Sequence, residues 1–158
     1  MTDKKVALVT GGSRGIGRAC ALELGKAGYD VVINYAGNAE AAAKTVEDIK
    51  ALDVNAEAYK FDVSNKEEVD NAIAEIIEKY GRIDVLVNNA GITRDDLFIR
   101  MNEDKWTAVI NTNLNSAYYV SKPVVKLMMK QRSGSIVSTT SVVGLYGNPG
   151  QANYSAAK

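Results

Sequence analysis

The sequence predicts an α/β protein with a doubly wound parallel sheet of the Rossmann type. Apolar, β-branched runs alternate with helical segments along the chain, and a glycine-rich turn follows the first run. Continuous apolar strands between helices indicate a parallel sheet covered on both faces, and right-handed crossovers then give the doubly wound order. No linker, internal repeat or low-complexity segment is visible. One domain over residues 1–158 is therefore expected.

The elements follow from apolar runs and from the residues that begin and end helices. Five strands are predicted at residues 6–10, 30–35, 56–61, 83–87 and 135–140. Helices are predicted at residues 15–27, 38–52, 64–80 and 102–132, the last in two parts around residues 111–113, and another begins near residue 152. Asn38 is a plausible N-cap, and Ser64 with Glu67 has the spacing of a capping box.

Composition limits the chemistry. The chain has 19 basic and 19 acidic residues and no histidine. Its overall charge therefore favours neither a nucleic acid nor a membrane surface, and histidine metal sites and Ser-His-Asp catalysis are excluded within it. Cys20 is the single cysteine, so no internal disulfide can form, and no signal peptide is evident. We expect a cytoplasmic protein without a metal site.

The turn after the first strand is a candidate dinucleotide site. Gly11, Gly15 and Gly17 have the spacing Gly-x-x-x-Gly-x-Gly, with Ser13, Arg14 and Ile16 between them. Glycine lets a backbone turn tightly and approach a pyrophosphate, and the following helix N-terminus favours an anion. A purely structural turn is the alternative. The position after strand one favours the binding interpretation.

The end of the second strand distinguishes between two nicotinamide cofactors. NAD sites usually place an acid there to hold the ribose 2′-hydroxyl, but this strand ends with Asn34, Tyr35 and Ala36. Arg14 lies in the glycine turn, and a guanidinium can bind a 2′-phosphate through two hydrogen bonds. NADP(H) is therefore predicted, with simple solvent exposure of Arg14 as the alternative.

Candidate catalytic residues lie at the end of the chain. Tyr154 and Lys158 have the i, i+4 spacing that puts two side chains on one helix face. Ser141 lies 13 residues before Tyr154, directly after the last apolar run. A second Tyr-x-x-x-Lys pair, Tyr118 and Lys122, lies inside a long helical pattern without a preceding strand-end serine. Context therefore favours the pair at the end of the chain.

A serine at a strand end followed by Tyr-x-x-x-Lys resembles the short-chain dehydrogenase/reductase family, and the resemblance covers Val6 to Lys158. It implies a catalytic set of Asn113, Ser141, Tyr154 and Lys158. Tyr154 is then the proton donor, and Lys158 supports it and holds the nicotinamide ribose. Ser141 binds the substrate carbonyl, and Asn113 holds a water molecule.

The same resemblance implies further cofactor contacts. Asp62 and Val63 follow strand three, where the family contacts the adenine ring, although Asp62 can equally cap a helix. The literal Asn-Asn-Ala-Gly sequence after strand four resembles the family motif that lines the cofactor cleft, through Asn89, Ala90 and Gly91. A plain strand-end turn also uses asparagine and glycine.

Two segments, residues 91–95 and 147–154, resemble the branch that reduces 3-oxoacyl groups on acyl carrier protein in fatty-acid biosynthesis. The branch implies an acyl carrier protein partner and a homotetramer at full length. Another short-chain dehydrogenase acting on acetoacetyl-CoA or an alcohol, or a catalytically silent nucleotide-binding fragment, remains open. The family's substrate loop lies beyond residue 158. We therefore expect the fold to be incomplete at its C-terminus and the natural chain to continue.

Overall fold

The computed structural model describes residues 4–158, and its centre is a five-stranded, all-parallel sheet. The strands in chain order are β1 Val6–Val9, β2 Asp30–Tyr35, β3 Ala56–Lys60, β4 Val85–Asn88 and β5 Ser135–Ser138. Their order in space is β3-β2-β1-β4-β5. The chain thus builds outward to β3 and then returns to the other side of β1. This confirms the predicted doubly wound Rossmann-type fold and puts its crevice between β1 and β4.

Helices connect the strands. They are α1 Gly15–Lys26, α2 Ala39–Lys50, α3 Lys66–Tyr80, α4 Glu103–Ile110, α5 Ser116–Gln131, α6 Val142–Tyr146 and α7 Ala152–Ala157. A 3₁₀ turn covers Phe98–Arg100, and a π-helical turn, Asn111–Asn115, joins α4 to α5. The predicted break near residue 112 is this π turn. Across residues 4–158 the helices are too short or too polar to cross a membrane.

Apolar side chains cover both faces of the sheet. On one face Leu8 and Leu86 pack with buried residues of α3 and α5, including Ile73. On the other face Val9 and Ile33 pack with residues of α1 and α2. Successive strand residues point to opposite faces, so β1 contributes to both cores. Burial on both sides explains why the strand sequences are continuously apolar.

β5 is the edge strand of the sheet next to β4. Within residues 4–158 it pairs only with β4, and all four of its residues are exposed. Ile136 is 39% exposed and Val137 is 55% exposed. An apolar edge strand presents unpaired backbone groups to solvent.

The start of α3 differs from the sequence prediction. Asn65, not Ser64, is the N-cap, and its Oδ1 accepts hydrogen bonds from the backbone of Glu67 and Glu68. The Ser64 hydroxyl instead donates to Asp62 Oδ1 at 2.7 Å. Because the Ser64 hydroxyl is bonded to Asp62, two residues earlier, the predicted N-cap of α3 is wrong by one residue.

Candidate active site

A cleft of about 590 Å³ opens at the carboxyl ends of the strands, a volume typical of small-molecule sites. It is bordered by the glycine turn, the ends of β2, β3 and β4, and the π turn. Its lining comprises Gly11, Ser13, Arg14, Gly15, Ile16, Asn34, Tyr35, Ala36, Gly37, Asn38, Phe61, Asp62, Val63, Asn89, Ala90, Gly91, Ile92 and Thr112.

Two glycines let the turn after β1 pack tightly against its surroundings. Gly11 has φ +63°, and a Cβ there would lie 2.9 Å from Ala90 Cα. A Cβ on Gly17 would lie 2.3 Å from the Gly11 carbonyl oxygen. Any side chain at either position would force the turn away from β4.

The N-terminus of α1 faces the cleft without a cap of its own. Arg14 is the N-cap residue, but its side chain makes no capping hydrogen bond, and the first turn holds no acid. The first N–H groups of a helix need partners and carry partial positive charge. Gly15 has open space around its Cβ position. This arrangement fits a pyrophosphate.

Thr10 and Asn89 join the glycine turn to the end of β4. The Thr10 hydroxyl accepts hydrogen bonds from the backbone of Asn89 and Ala90 at 3.0 and 3.1 Å. In return Asn89 Nδ2 donates to the carbonyl oxygens of Thr10 and Gly11. These bonds fix the crevice between the two central strands. Thr10 was not predicted as a site residue from the sequence.

Asn34 is buried, and its side-chain amide is hydrogen-bonded within the protein. Oδ1 accepts from the Gly11 backbone at 3.2 Å, and Nδ2 donates to the Phe61 carbonyl at 2.8 Å. It therefore connects three parts of the cleft wall: the glycine turn, β2 and the end of β3. Asn34 lines the cleft, but its amide is already hydrogen-bonded to Gly11 and Phe61. Arg14, which lines the same cleft, is exposed.

Asp62 and Val63 also border the cleft. The Asp62 side chain has a structural role, as a hydrogen-bond acceptor in the turn before α3. Its Oδ1 accepts from the backbone and the hydroxyl of Ser64. Val63 is buried. Both residues line the cleft, and the turn holds the Asp62 carboxylate; the predicted adenine contact stays a prediction.

Lys158 connects α7 to the end of β5. Its ammonium donates to the Thr139 carbonyl at 2.8 Å and lies 5.9 Å from the centre of the Tyr154 ring. The Thr140 hydroxyl donates to the Lys158 carbonyl at 2.8 Å. Burial lowers the pKa of the Lys158 ammonium, because desolvation disfavours its charged form. One face of α7 thus carries a phenol and a half-buried cation.

Ser141 directly follows Thr140 at the end of β5 and caps a helix. Its Oγ accepts from the Val143 backbone at 3.2 Å at the start of α6, which packs against α7. A serine hydroxyl that accepts one bond still has its own proton to donate. The geometry therefore brings Ser141, Tyr154 and Lys158 to one end of β5.

Asn113 lies in the π turn and is buried. Its Oδ1 accepts from the Ile92 backbone at 2.7 Å, and its Nδ2 donates to the Ile92 carbonyl at 2.8 Å. This two-bond pairing fixes the chain after β4 against the π turn, which also contacts α7. One amide hydrogen and one oxygen lone pair remain for a further partner.

The predicted residues fall into two groups. Most predicted cofactor residues line the cleft, whereas Gly17 lies beneath the glycine turn and Tyr154 and Lys158 lie outside the cleft lining, on α7. Lys122 donates to the Tyr118 hydroxyl at 3.1 Å, but that pair is exposed on α5. Asn153, fully buried beside Tyr154, was not identified from the sequence.

Comparison with known proteins agrees with this geometry. Residues 5–158 match the family described as short chain dehydrogenase. The chain belongs to the short-chain dehydrogenase family. Membership implies a nicotinamide cofactor, and the glycine turn and the uncapped α1 N-terminus fit the pyrophosphate of one.

Several curated relatives carry one name. The chain is 51% identical to 3-oxoacyl-[acyl-carrier-protein] reductase FabG of Staphylococcus epidermidis (strain ATCC 12228) and of Staphylococcus aureus (strain N315), each over 98% of this chain and 63% of the relative. It is 54% identical to 3-oxoacyl-[acyl-carrier-protein] reductase of a Synechocystis species, over 98% of this chain and 62% of the relative. The chain thus spans a little under two thirds of the length of these relatives.

Proposed function

We propose that the protein is an NADPH-dependent oxidoreductase that reduces 3-oxoacyl groups on acyl carrier protein to 3-hydroxyacyl groups in fatty-acid biosynthesis. The observation that carries this proposal is the grouping of Ser141, Tyr154 and Lys158 at the end of β5, beside a dinucleotide-type cleft. The relatives at 51–54% identity support the substrate class. We treat residues 1–158 as a single dinucleotide-binding domain that carries the proposed catalytic residues.

The proposed chemistry assigns one task to each residue. The cofactor supplies a hydride to the carbonyl carbon of the substrate. Tyr154 gives its phenolic proton to the carbonyl oxygen, which Ser141 holds by a hydrogen bond. The nearby Lys158 ammonium stabilises the phenolate that remains, because opposite charges attract more strongly in a half-buried site than in water. The free amide hydrogen and lone pair of Asn113 can hold a water molecule that returns the proton.

The preference for NADPH rests on charge. Arg14 is exposed at the mouth of the cleft, and the end of β2 carries asparagine and tyrosine, not an acid. A carboxylate there would repel a 2′-phosphate, whereas a guanidinium attracts it. Because the amide of Asn34 is bonded to Gly11 and Phe61, Arg14 is the proposed 2′-phosphate contact.

We also propose a homotetramer in the cytoplasm. The π turn and α5 carry an exposed apolar face, formed by Leu114, Tyr118, Val125 and Met129. Apolar faces of this kind commonly mark protein contacts. The single cysteine suits a reducing compartment.

The decisive experiment measures NADPH oxidation by the whole protein with three substrates in parallel: acetoacetyl-acyl carrier protein, acetoacetyl-CoA and a simple ketone. Preference for the carrier-protein thioester is expected. Preference for the CoA thioester or the ketone would indicate another short-chain dehydrogenase. NADPH binding with no turnover of any substrate would indicate a silent nucleotide-binding protein.

A further inference from the structure

Asn153 is a fully buried side chain that directly precedes the proposed proton donor. Its Nδ2 donates to the carbonyl oxygens of Arg94 and Lys105, at 3.0 and 3.1 Å. Its Oδ1 accepts from the Tyr154 backbone at 2.8 Å. Both hydrogens of the amide group and its oxygen are therefore engaged, one bond being to the backbone of Tyr154 itself.

The helix that carries Tyr154 depends on such bonds. α7 has six residues, and its N-cap Gln151 makes no side-chain capping bond. Helices this short are not stable by themselves, because nucleation is costly. The Tyr154 N–H lies in the first turn, where no intrahelical acceptor exists, and Asn153 supplies that acceptor. The position of Tyr154 is thus set by tertiary bonds.

The two carbonyls that Asn153 holds belong to segments that are themselves joined. The Lys105 ammonium pairs with Asp96 Oδ2 at 2.5 Å, and the Asp96 backbone donates to the Gly150 carbonyl at 2.9 Å. Arg94, Asp96, Lys105, Gly150 and Asn153 therefore form one connected set, here called the α7 clamp. It joins the loop after β4, the start of α4 and the start of α7.

We propose that Asn153 is a positioning residue for the reaction, which holds Tyr154 at the reacting carbonyl through the α7 clamp. This inference rests on the proposed function, because it requires Tyr154 to donate the proton. Small displacements of a reacting group reduce turnover strongly, by about 100-fold for about 1 Å. Most of the proposed cofactor contacts lie on the glycine turn and the strand ends, so the affinity for NADPH should change little.

The test compares Asn153→Ala with Ile73→Val, a conservative core variant in α3, remote from the clamp. Asn153→Ala should lower kcat by about 100-fold while KM and the NADPH dissociation constant stay within about threefold. Ile73→Val should keep the wild-type kcat at temperatures where it is folded. In a Tyr154→Phe background, adding Asn153→Ala should cause no further loss, because two residues that act through one step are not additive.

Asp96→Asn supplies a second measurement if Asn153→Ala does not fold. It weakens the same clamp from its partly exposed side and should lower kcat by roughly three- to tenfold with KM unchanged. If Asn153→Ala folds and has the wild-type kcat, the inference is overturned. If Asn153→Ala does not fold, a wild-type kcat in Asp96→Asn overturns it. In either case an inactive Tyr154→Phe would leave the proposed function standing. Full activity of Tyr154→Phe would overturn both.

Discussion

The ammonium of Lys158 lies 2.8 Å from the carbonyl oxygen of Thr139, and this hydrogen bond ties the end of α7 to the end of β5. Thr139 lies two residues before Ser141. The bond therefore sets the spacing between the helix of the proposed proton donor and the hydroxyl proposed to hold the substrate. It also gives the half-buried Lys158 ammonium a polar partner where desolvation lowers its pKa.

Tyr154→Phe should reduce turnover by about 100-fold or more, since general acid catalysis typically contributes 10²–10⁴. NADPH binding should persist, because only the phenolic hydroxyl is lost. Steady-state rates and a fluorescence titration of NADPH measure the two effects. The matched control is Tyr118→Phe, since the Tyr118 hydroxyl accepts a hydrogen bond from the lysine at i+4 on an exposed helix face. Loss of activity in the control with survival of Tyr154→Phe would contradict the assignment.

Arg14→Ala should weaken NADPH by roughly 10- to 150-fold and NADH far less, because a charge-assisted hydrogen bond is worth ~1.5–3 kcal/mol. Dissociation constants for both cofactors provide the comparison. Arg18→Ala is the control, since Arg18 pairs with Asp48 on α2. An equal loss for NADPH and NADH would show that Arg14 does not contact the 2′-phosphate.

The ionisation of Asp84 should make the free energy of unfolding depend on pH in the acid range. The Arg82 guanidinium, together with the Val6 backbone N–H, holds the pKa of the buried Asp84 carboxyl below its ordinary value of 3.8. A lowered pKa in the folded state stabilises the protein above about pH 4, and this contribution is lost as the pH falls through the folded pKa. Asp84→Asn should therefore lose about 1–3 kcal/mol at neutral pH and show a flatter decline in stability below pH 4.

Denaturant unfolding at several pH values measures this effect. The control is Asp53→Asn, an exposed position with φ +60° that asparagine tolerates. A decline as steep in Asp84→Asn as in the wild type would assign the acid sensitivity to other carboxylates.

Asn34→Ala should lower the free energy of unfolding of the cofactor-free protein by about 2–4 kcal/mol, because it leaves the Gly11 N–H and the Phe61 carbonyl without their partner. Asn38→Ala, which removes only an exposed N-cap, should cost about 1 kcal/mol. Chemical denaturation without nucleotide separates the two. Equal stability losses would mean that Asn34 acts mainly on the ligand.

The sheet and the glycine turn were predictable because local patterns determine them. Continuous apolar runs identify buried parallel strands, and Gly-x-x-x-Gly-x-Gly after the first run locates the glycine turn. The spacing of Tyr154 and Lys158 likewise depends only on helical geometry. Such features need no knowledge of distant residues.

The features that the sequence did not reveal depend on partners far along the chain. Asn34 bonds Phe61, 27 residues away, and Asn153 bonds Arg94, 59 residues away. Nothing in the local sequence of either asparagine identifies these partners. At α3 the error was local: Ser64 and Asn65 are both good N-caps, and the competing bond to Asp62 decides between them.

The number of residues in the π turn between α4 and α5 determines the position of Asn113. A π turn has i→i+5 hydrogen bonds and holds one residue more than an α turn, so deleting one residue from Asn111–Asn115 would convert it into regular α-helix. The rotation of α5 relative to α4 would be kept, and Val120, Val124 and Met128 would stay in the core they share with α3, whereas Asn113 would turn away from Ile92. A single deletion should therefore remove the Asn113 pairing and leave the packing of α5 in place.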